Sequence, residues 1–498
     1  MKVLVIASNR NRLPVPVMPA GACLVAEAAQ DAGHEVKFLD LMFEPDPGRA
    51  VAAALHGFSP DVAGVSMRNI DNNDMQTPLF YAAREVRSLA ALLGPEGSCR
   101  SRGKKPPVVL GGPAVAVMPE ALLRLSGAGC AVLSDGETVF PLLLERLGEG
   151  RGLREAAGLT PGTAWLEKGT LIRTAPPSDG TSLSGRAISA DYSRWVDVKR
   201  YAGLFATAAV QTKAGCGFNC VYCTYRKIEG GRYRLSPPGL AAEAVRRLCA
   251  SGLRDIEFVD NVFNSPYEHA LAVCQEISLS RSSGGPGGRP RLQTIELNPL
   301  FIDDNLIDEM ERAGFVGAGI TAESASGKVL DGLCKGYDEG HVRRAAEVMR
   351  RHALPCFWIF LLGGPGETKS TVRETLEFAS RRIRTSDPVF FNIGLRIYPG
   401  TGLEGIARRQ GVLSLAPEEM LEPVFYTSPE VSPGWIMSEI GERMRHHMNF
   451  INSGSLGLNL LPRIGRLFHW LGFKQPLWRH TVFIRGALRT LGLYNGWS

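Results

Sequence analysis

Three cysteines constrain this chain more than any other feature. Cys216, Cys220 and Cys223 stand in a C-x3-C-x2-C spacing, in a stretch that also holds Gly215 and Gly217. Such a loop can wrap three sulfurs around one corner of a cubic iron–sulfur cluster, which ordinarily takes four thiolates. Three thiolates leave one iron without a protein ligand, and a small molecule can be chelated there. The alternative is zinc, which wants four ligands in paired short spacings. No second Cys or His pair lies near the loop in the sequence. Residues 204–211, just before it, are small and β-prone, so the loop is expected to follow a strand.

A chain of 498 residues is too long for one ordinary core, so two or three domains are expected. Its 44% hydrophobic content is that of a globular protein, and no apolar run approaches the ~18 residues of a membrane span. The first residues read as a strand, not as a basic-then-apolar leader. Ten cysteines, seven of them scattered outside the motif, are not a disulfide framework. A reducing compartment, the cytoplasm, is the expected location.

Residues 1–150 alternate apolar strands with helical stretches. Strands are expected at 2–6, 36–39, 62–67, 108–110 and 130–133, and helices at 20–32, 76–93 and 119–126. This alternation predicts a doubly wound parallel sheet, whose ligands bind at the carboxyl ends of the strands. Three of those ends carry polar or glycine-rich loops. They are S-M-R-N-I-D-N at 66–72, with Arg68, Asn69 and Asp71; Gly111-Gly112; and Asp135-Gly136-Glu137. Residues 151–195 are rich in Gly, Pro, Ser and Thr and read as a linker with a small hairpin around 163–174.

Residues 196–412 alternate again. With the strand before the cysteines they give six strand–loop–helix units, a partial (β/α)6 barrel of the TIM type. Barrel sites sit at the C-terminal ends of the strands. Those ends carry Glu323-Ser324, Gly363-Gly364-Pro365-Gly-Glu367 and Arg396-Ile-Tyr398-Pro-Gly-Thr401. A Gly-Gly-Pro turn can present backbone groups to a ligand. Glu323 and Ser324 can hydrogen-bond an amino group or ribose hydroxyls, and the backbone of Tyr222 can meet a base.

The three-cysteine spacing with an aromatic, Tyr222, before its last cysteine resembles the radical S-adenosylmethionine (SAM) superfamily. The E-S, G-x-P-G-E and R-x-Y-P-G-T segments, in that order, are similar to segments of its members. The resemblance implies a [4Fe–4S] cluster on Cys216, Cys220 and Cys223. It implies SAM held by Tyr222, Glu323, Ser324, Gly363, Gly364, Pro365 and Arg396. The upstream domain, through S-x-R-N-x-D-N and L-G-G-P, resembles the cobalamin-binding domain of B12-dependent members. That likeness implies cobalamin contacts from Arg68, Asn69, Asp71, Gly111, Gly112, Gly136 and Glu137. The chain departs from the family in having Ser-Asp-Gly-Glu at 134–137, and it lacks the Asp-x-His-x-x-Gly motif that supplies a histidine to cobalt. Arg68 is then the candidate for the lower face of the cobalt. A guanidinium has no free lone pair, so it would shield that face without ligating it.

The expected fold class is therefore α/β: a Rossmann-like B12-binding sheet, then the partial barrel, then a mostly helical extension over 413–498. The expected function is a cobalamin-dependent radical SAM methyltransferase. It would move a methyl from SAM by way of methylcobalamin to an unactivated carbon or phosphorus of a biosynthetic intermediate. A cyclase or mutase that does not methylate is the alternative. The expected partners are a small-molecule or lipid-like substrate and an external electron donor such as flavodoxin or ferredoxin, with no nucleic acid. After Glu442 the chain has no acidic residue and eight Arg or Lys, against a net charge of +6 for the whole. A basic amphipathic tail can lie on an anionic membrane or pack on the barrel.

Overall fold

The computed structural model describes residues 1–79, 86, 89, 105–177, 188–282, 288–455 and 468–490. Most of the helix expected over 76–93 lies outside them, and its described start, 76–79, is not helical.

The N-terminal sheet is built from β1 (Lys2–Ala7), β2 (Glu35–Asp40), β3 (Val62–Ser66), β4 (Val108–Gly111), β5 (Cys130–Val132), β6 (Thr163–Glu167) and β7 (Thr170–Arg173). Its spatial order is β2-β1-β3-β4-β5-β6-β7, with the first five strands parallel. Val3 to Ala7 are buried without interruption, as a strand covered by helices on both faces must be. The chain leaves β1 for β2 on one side and returns to β3 on the other. That reversal makes the crevice between β1 and β3 the switch point of the sheet.

The segment expected to be a linker extends this sheet. β6 and β7 form the foreseen hairpin, turning through Lys168 and Gly169 at φ 47° and 82°. Two positive φ values in a two-residue turn match the twist of the strands they join. β6 then pairs antiparallel with β5.

The second sheet comprises β8 (Ala208–Val210), β9 (Asp255–Phe258), β10 (Arg291–Leu297), β11 (Phe315–Glu323), β12 (Cys356–Leu362), β13 (Val389–Ile393) and β14 (Phe450–Asn452). These strands are parallel and lie side by side in chain order. Six were expected. The seventh, β14, comes from the C-terminal stretch that sequence periodicity marks as helical. Buried aromatics, among them Trp358, Phe360, Phe391 and Phe450, pack the wall between this sheet and its helices.

The two domains share one core. A single apolar cluster joins Leu4, Val65, Met67 and Leu110 of the first sheet to Val329, Leu333, Leu395 and Tyr426 of the second domain. The C-terminal segment lies at the other end of the barrel, its floor. Gln475 donates to the carbonyl of Phe205 and Arg485 to that of Phe450. The Trp478 ring meets Phe357 edge to face at 4.9 Å and fills the space that a side chain at Gly317 would need. All four partners stand at the N-terminal ends of strands. The tail therefore packs on the barrel, one of the two expected arrangements, and does so from the side opposite the active face.

Candidate active site

The cysteine loop leaves the end of β8 and is held by the ends of its neighbours. Thr212 donates its amide and hydroxyl to Asp260, each at 2.7 Å. Lys213 Nζ pairs with Asp260 Oδ2 at 3.1 Å, and the two side chains are 1% and 0% exposed. Gly215 follows at φ +86°, where a Cβ would run into the carbonyl of Arg232. Its amide donates to Glu229 at 3.0 Å, and Asn261 Nδ2 donates to the same carboxylate at 2.6 Å. The loop is thus rigid at both ends before any ligand arrives.

Cys216 is buried, Cys220 and Cys223 are half-buried, and none of the three is in a disulfide. Burial raises the pKa of each thiol, to about 12 for Cys223. Thiols in such a setting give up their protons only to a strong Lewis acid that replaces them. Three soft ligands and no fourth protein thiol in the same loop fit a cubane with one open iron.

Facing the cysteines stands Glu323 at the end of β11, in a left-handed backbone conformation at φ 61°. A non-glycine residue held there is strained and is commonly found at ligand sites. The Tyr222 hydroxyl donates to Glu323 Oε1 at 2.6 Å, and Lys335 Nζ donates to the same oxygen at 3.1 Å. Glu323 Oε2 is buried with no hydrogen-bond partner in the protein. A buried carboxylate oxygen left open wants a donor, and a ribose hydroxyl or amino group would supply one.

Other expected SAM contacts are engaged elsewhere. Ser324 turns away, its hydroxyl 3.2 Å from Thr375 Oγ1 and accepting the amide of Ser326 at 3.1 Å. The Gly363 amide donates to the buried carboxylate of Glu367 at 3.2 Å, and its carbonyl accepts the amide of Ser428 at 2.8 Å. The carbonyl of Gly364 accepts the amide of Glu367. The carbonyl of Pro365 lies against Gly332. The Gly-Gly-Pro turn is therefore closed on Glu367. Arg396 donates through Nε to Asp71 at 2.8 Å and through Nη2 to the Met420 carbonyl at 2.7 Å, fully buried. This pair joins the two domains, so neither Arg396 nor Asp71 offers a free group to a cofactor.

Above the first sheet lies a cavity of about 220 Å³ that opens to solvent. Its depth is apolar, with Val5, Val65, Val109, Val132 and Phe140. Its rim carries Gly111, Gly112, Gly136 and Glu137 on one side and Gln211 and Glu229 of the cysteine loop on the other. Gly112 adopts φ +95°, and a Cβ there would stand 2.5 Å from the Met67 carbonyl. Burial raises the Glu137 carboxyl to about 6, helped by Asp135. A mostly apolar lining with glycines at the strand ends fits the close approach of a flat ligand.

Arg68 projects from the loop after β3 into the space between the domains. Arg68 is exposed to solvent, yet the crowding of protein around its guanidinium lowers its pKa, and the charges of Tyr225 and Glu257 oppose that. Asn69 beside it is half-buried. Inside the barrel Glu257 Oε2 accepts from Gln293 at 2.8 Å and from Thr207 at 3.0 Å. Glu296, also inside, is raised to about 8 by burial and by the negative charge of Glu323. The charge of Glu257 acts on both Glu296 and Arg68. Sequence reading missed Lys335, Glu229, Glu257 and Glu296. Asp260 closes a strand end and was legible as such. Lys335 carries no local signal.

Comparison with known proteins agrees with this geometry. A B12 binding domain model matches residues 9–144, and a radical SAM superfamily model matches residues 210–379. An uncharacterized methyltransferase of Pyrococcus horikoshii is 26% identical over 387 residues, covering 77% of each chain. The tryptophan 2-C-methyltransferase of Streptomyces laurentii is 25% identical over 456 residues, 79% of this chain and 73% of its own. The fold matches the radical S-adenosylmethionine methyltransferase TsrM of Kitasatospora setae, solved with cobalamin and a [4Fe–4S] cluster bound. The TM-score is 0.83 at 22% identity over 98% of both chains. With a B12-binding domain on the first sheet and a radical SAM core on the second, the chain belongs to the cobalamin-dependent radical SAM family.

Proposed function

We propose that the protein is a cobalamin-dependent radical SAM methyltransferase acting on a small-molecule substrate. One observation carries this reading. A single cavity is lined both by the strand ends of the B12-binding sheet and by Gln211, Ile228 and Glu229 of the cysteine loop. A corrinoid bound at those strand ends would lie against the residues that bracket the cysteine loop. When bound, the cluster and SAM supply one-electron cleavage chemistry and the corrinoid supplies a methyl carrier.

The residues of the chain do the rest. Cys216, Cys220 and Cys223 hold the cluster, and Asp260 with Glu229 fixes the loop that carries them. Glu323 Oε2 takes a donor group of SAM, and Tyr222 and Lys335 orient that carboxylate. Gly111, Gly112, Gly136 and Glu137, which line the cavity, would receive the corrinoid, and Asn69 on the loop after β3 is proposed as a further contact. Arg68, on the loop after β3, would contribute charge beside a bound corrinoid without ligating its metal, because a guanidinium has no free lone pair. Glu257 and Glu296 offer the substrate acceptors for N–H or O–H groups. Trp478 and its neighbours keep water out from below.

The cytoplasm is the proposed setting, and a flavodoxin- or ferredoxin-type protein the electron donor. The tail contributes exposed Trp470, Leu471 and Phe483 beside arginines, and these suit peripheral contact with an anionic membrane. No helix among the described residues is long and apolar enough to cross one.

The test is anaerobic incubation with SAM labelled in its methyl group, cobalamin, a reductant and small aromatic or lipid-like candidates. The expected result is label in product with S-adenosylhomocysteine formed. Formation of 5′-deoxyadenosine without label transfer would replace this reading by the cyclase or mutase one.

A further inference from the structure

Lys335 is the least expected group in the site. It lies in the loop after the helix Gly327–Gly332, follows Cys334 at φ 53°, and has only 7% of its side chain exposed. Three neighbours define its ammonium. Nζ donates to the Tyr222 hydroxyl at 3.0 Å and to Glu323 Oε1 at 3.1 Å. It also lies 5.4 Å from the centroid of the Tyr222 ring and 5.8 Å from that of Tyr337. The Tyr337 hydroxyl is itself tied to the carbonyls of Thr321 and Ala322, which lead into Glu323. A long flexible side chain is thereby held in one position from several sides. A buried lysine held this closely carries a fixed charge, and little water is present to screen it.

That charge has two addressees. The first is Glu323, whose Oε1 is clamped by two donors while Oε2 remains open. The second is the cysteine loop. Tyr222, whose hydroxyl accepts from Lys335 Nζ at 3.0 Å and whose ring centroid lies 5.4 Å from it, stands in the chain between Cys220 and Cys223 and so brings the ammonium up to that loop. A cation near a cluster stabilises its reduced, more negative state, and charge and hydrogen bonding around the sulfurs set the potential.

We propose that Lys335 is a positioning residue of the cofactor site. Its buried ammonium turns the Glu323 carboxylate so that one oxygen is free for SAM, and it places a fixed positive charge beside the cluster sulfurs that raises the cluster's reduction potential. The inference rests on the cluster-and-SAM reading above and adds to it the device that couples the two. Removing the charge lowers the midpoint potential and weakens SAM binding together. A merely structural lysine would change neither once the protein had folded.

The experiment compares wild type, Lys335→Gln and Lys335→Arg, each reconstituted anaerobically with iron and sulfide. The midpoint potential is read by mediated titration with electron paramagnetic resonance, and SAM affinity by equilibrium dialysis. Lys335→Gln is expected to move the midpoint to more negative values and to weaken SAM about tenfold, the scale of one hydrogen bond to a charged group. Lys335→Arg is expected to keep the wild-type midpoint. An unmoved midpoint in Lys335→Gln overturns the inference and leaves the cofactor reading standing. A wild-type protein that takes up no iron overturns both. Should Lys335→Gln fail to hold a cluster, Lys335→Arg carries the test. A midpoint lowered there despite the retained charge overturns the proposal.

Discussion

Arg396 Nε lies 2.8 Å from Asp71 Oδ2, and the two side chains, 325 residues apart in sequence, are 2% and 0% exposed. The pair stands where the loop after β3 meets the end of β13, so it fixes one domain against the other. Asp71 also accepts the amide of Asn73, whose side chain takes the Tyr398 hydroxyl at 2.7 Å. Removing one partner leaves an uncompensated charge in the core. Asp71→Ala is expected to cost about 3–5 kcal/mol of unfolding free energy. Chemical denaturation checks it. A loss below about 1 kcal/mol would show that the pair is dispensable.

Loss of one cysteine should separate the two cofactors. Cys220→Ala removes a cluster ligand at a half-buried loop position and leaves the first sheet untouched. The expected outcome is no reconstituted absorbance near about 400 nm and no turnover. Cobalamin uptake and far-ultraviolet circular dichroism stay at wild-type levels. Retained activity would refute the chemistry proposed here.

Gly112→Ala tests the corrinoid mouth. The new Cβ would stand 2.5 Å from the Met67 carbonyl, at a φ of +95°. Backbone cannot yield as a flexible side chain can, so the loop after β3, which carries Arg68, must shift. We expect a loss of about 1–3 kcal/mol in stability and impaired cobalamin uptake, read from the visible spectrum of the bound corrinoid.

Glu296 predicts a pH dependence of the apoprotein. Burial, then the charge of Glu323, raises its folded-state pKa from 4.5 to about 8. The folded state therefore binds the proton more tightly than the unfolded state. Its contribution to stability is full below about pH 4.5 and is lost as pH rises toward about 8. Glu296→Gln should abolish that part of the decline. The variant is expected to match wild type near pH 5 and to exceed it at pH 8.5 by a few kcal/mol at most, roughly the scale of a shift of this size. Melting curves across that range decide it, and parallel pH profiles would contradict the assignment.

Trp478→Ala should open the barrel floor. The ring packs on Phe357 at 4.9 Å and occupies the space beside Gly317. We expect a loss of about 3–5 kcal/mol. Binding of an apolar fluorescent dye should increase as the cavity becomes accessible.

The sequence by itself determined what is written within a short span. Cys216, Cys220 and Cys223 lie close enough in the chain that loop geometry alone brings their sulfurs together. The five strands of the first sheet and the six of the barrel were legible because continuous apolar runs ending in polar or glycine-rich turns have few other uses. Lys168-Gly169 gave away the hairpin in the same way. Only the tertiary structure decided which distant groups meet. Ser324 and Glu323 are neighbours in the chain, yet one faces Thr375 and the other Tyr222 and Lys335, because the strand ends at Glu323, where the left-handed backbone at φ 61° turns the chain out of the sheet. Arg396 found Asp71, and Gly363 found Glu367 and Ser428, because a buried polar group left without a partner is costly. Residues 450–452 became a strand because the open edge of β13 had backbone groups to satisfy, a demand that no local pattern in the tail records.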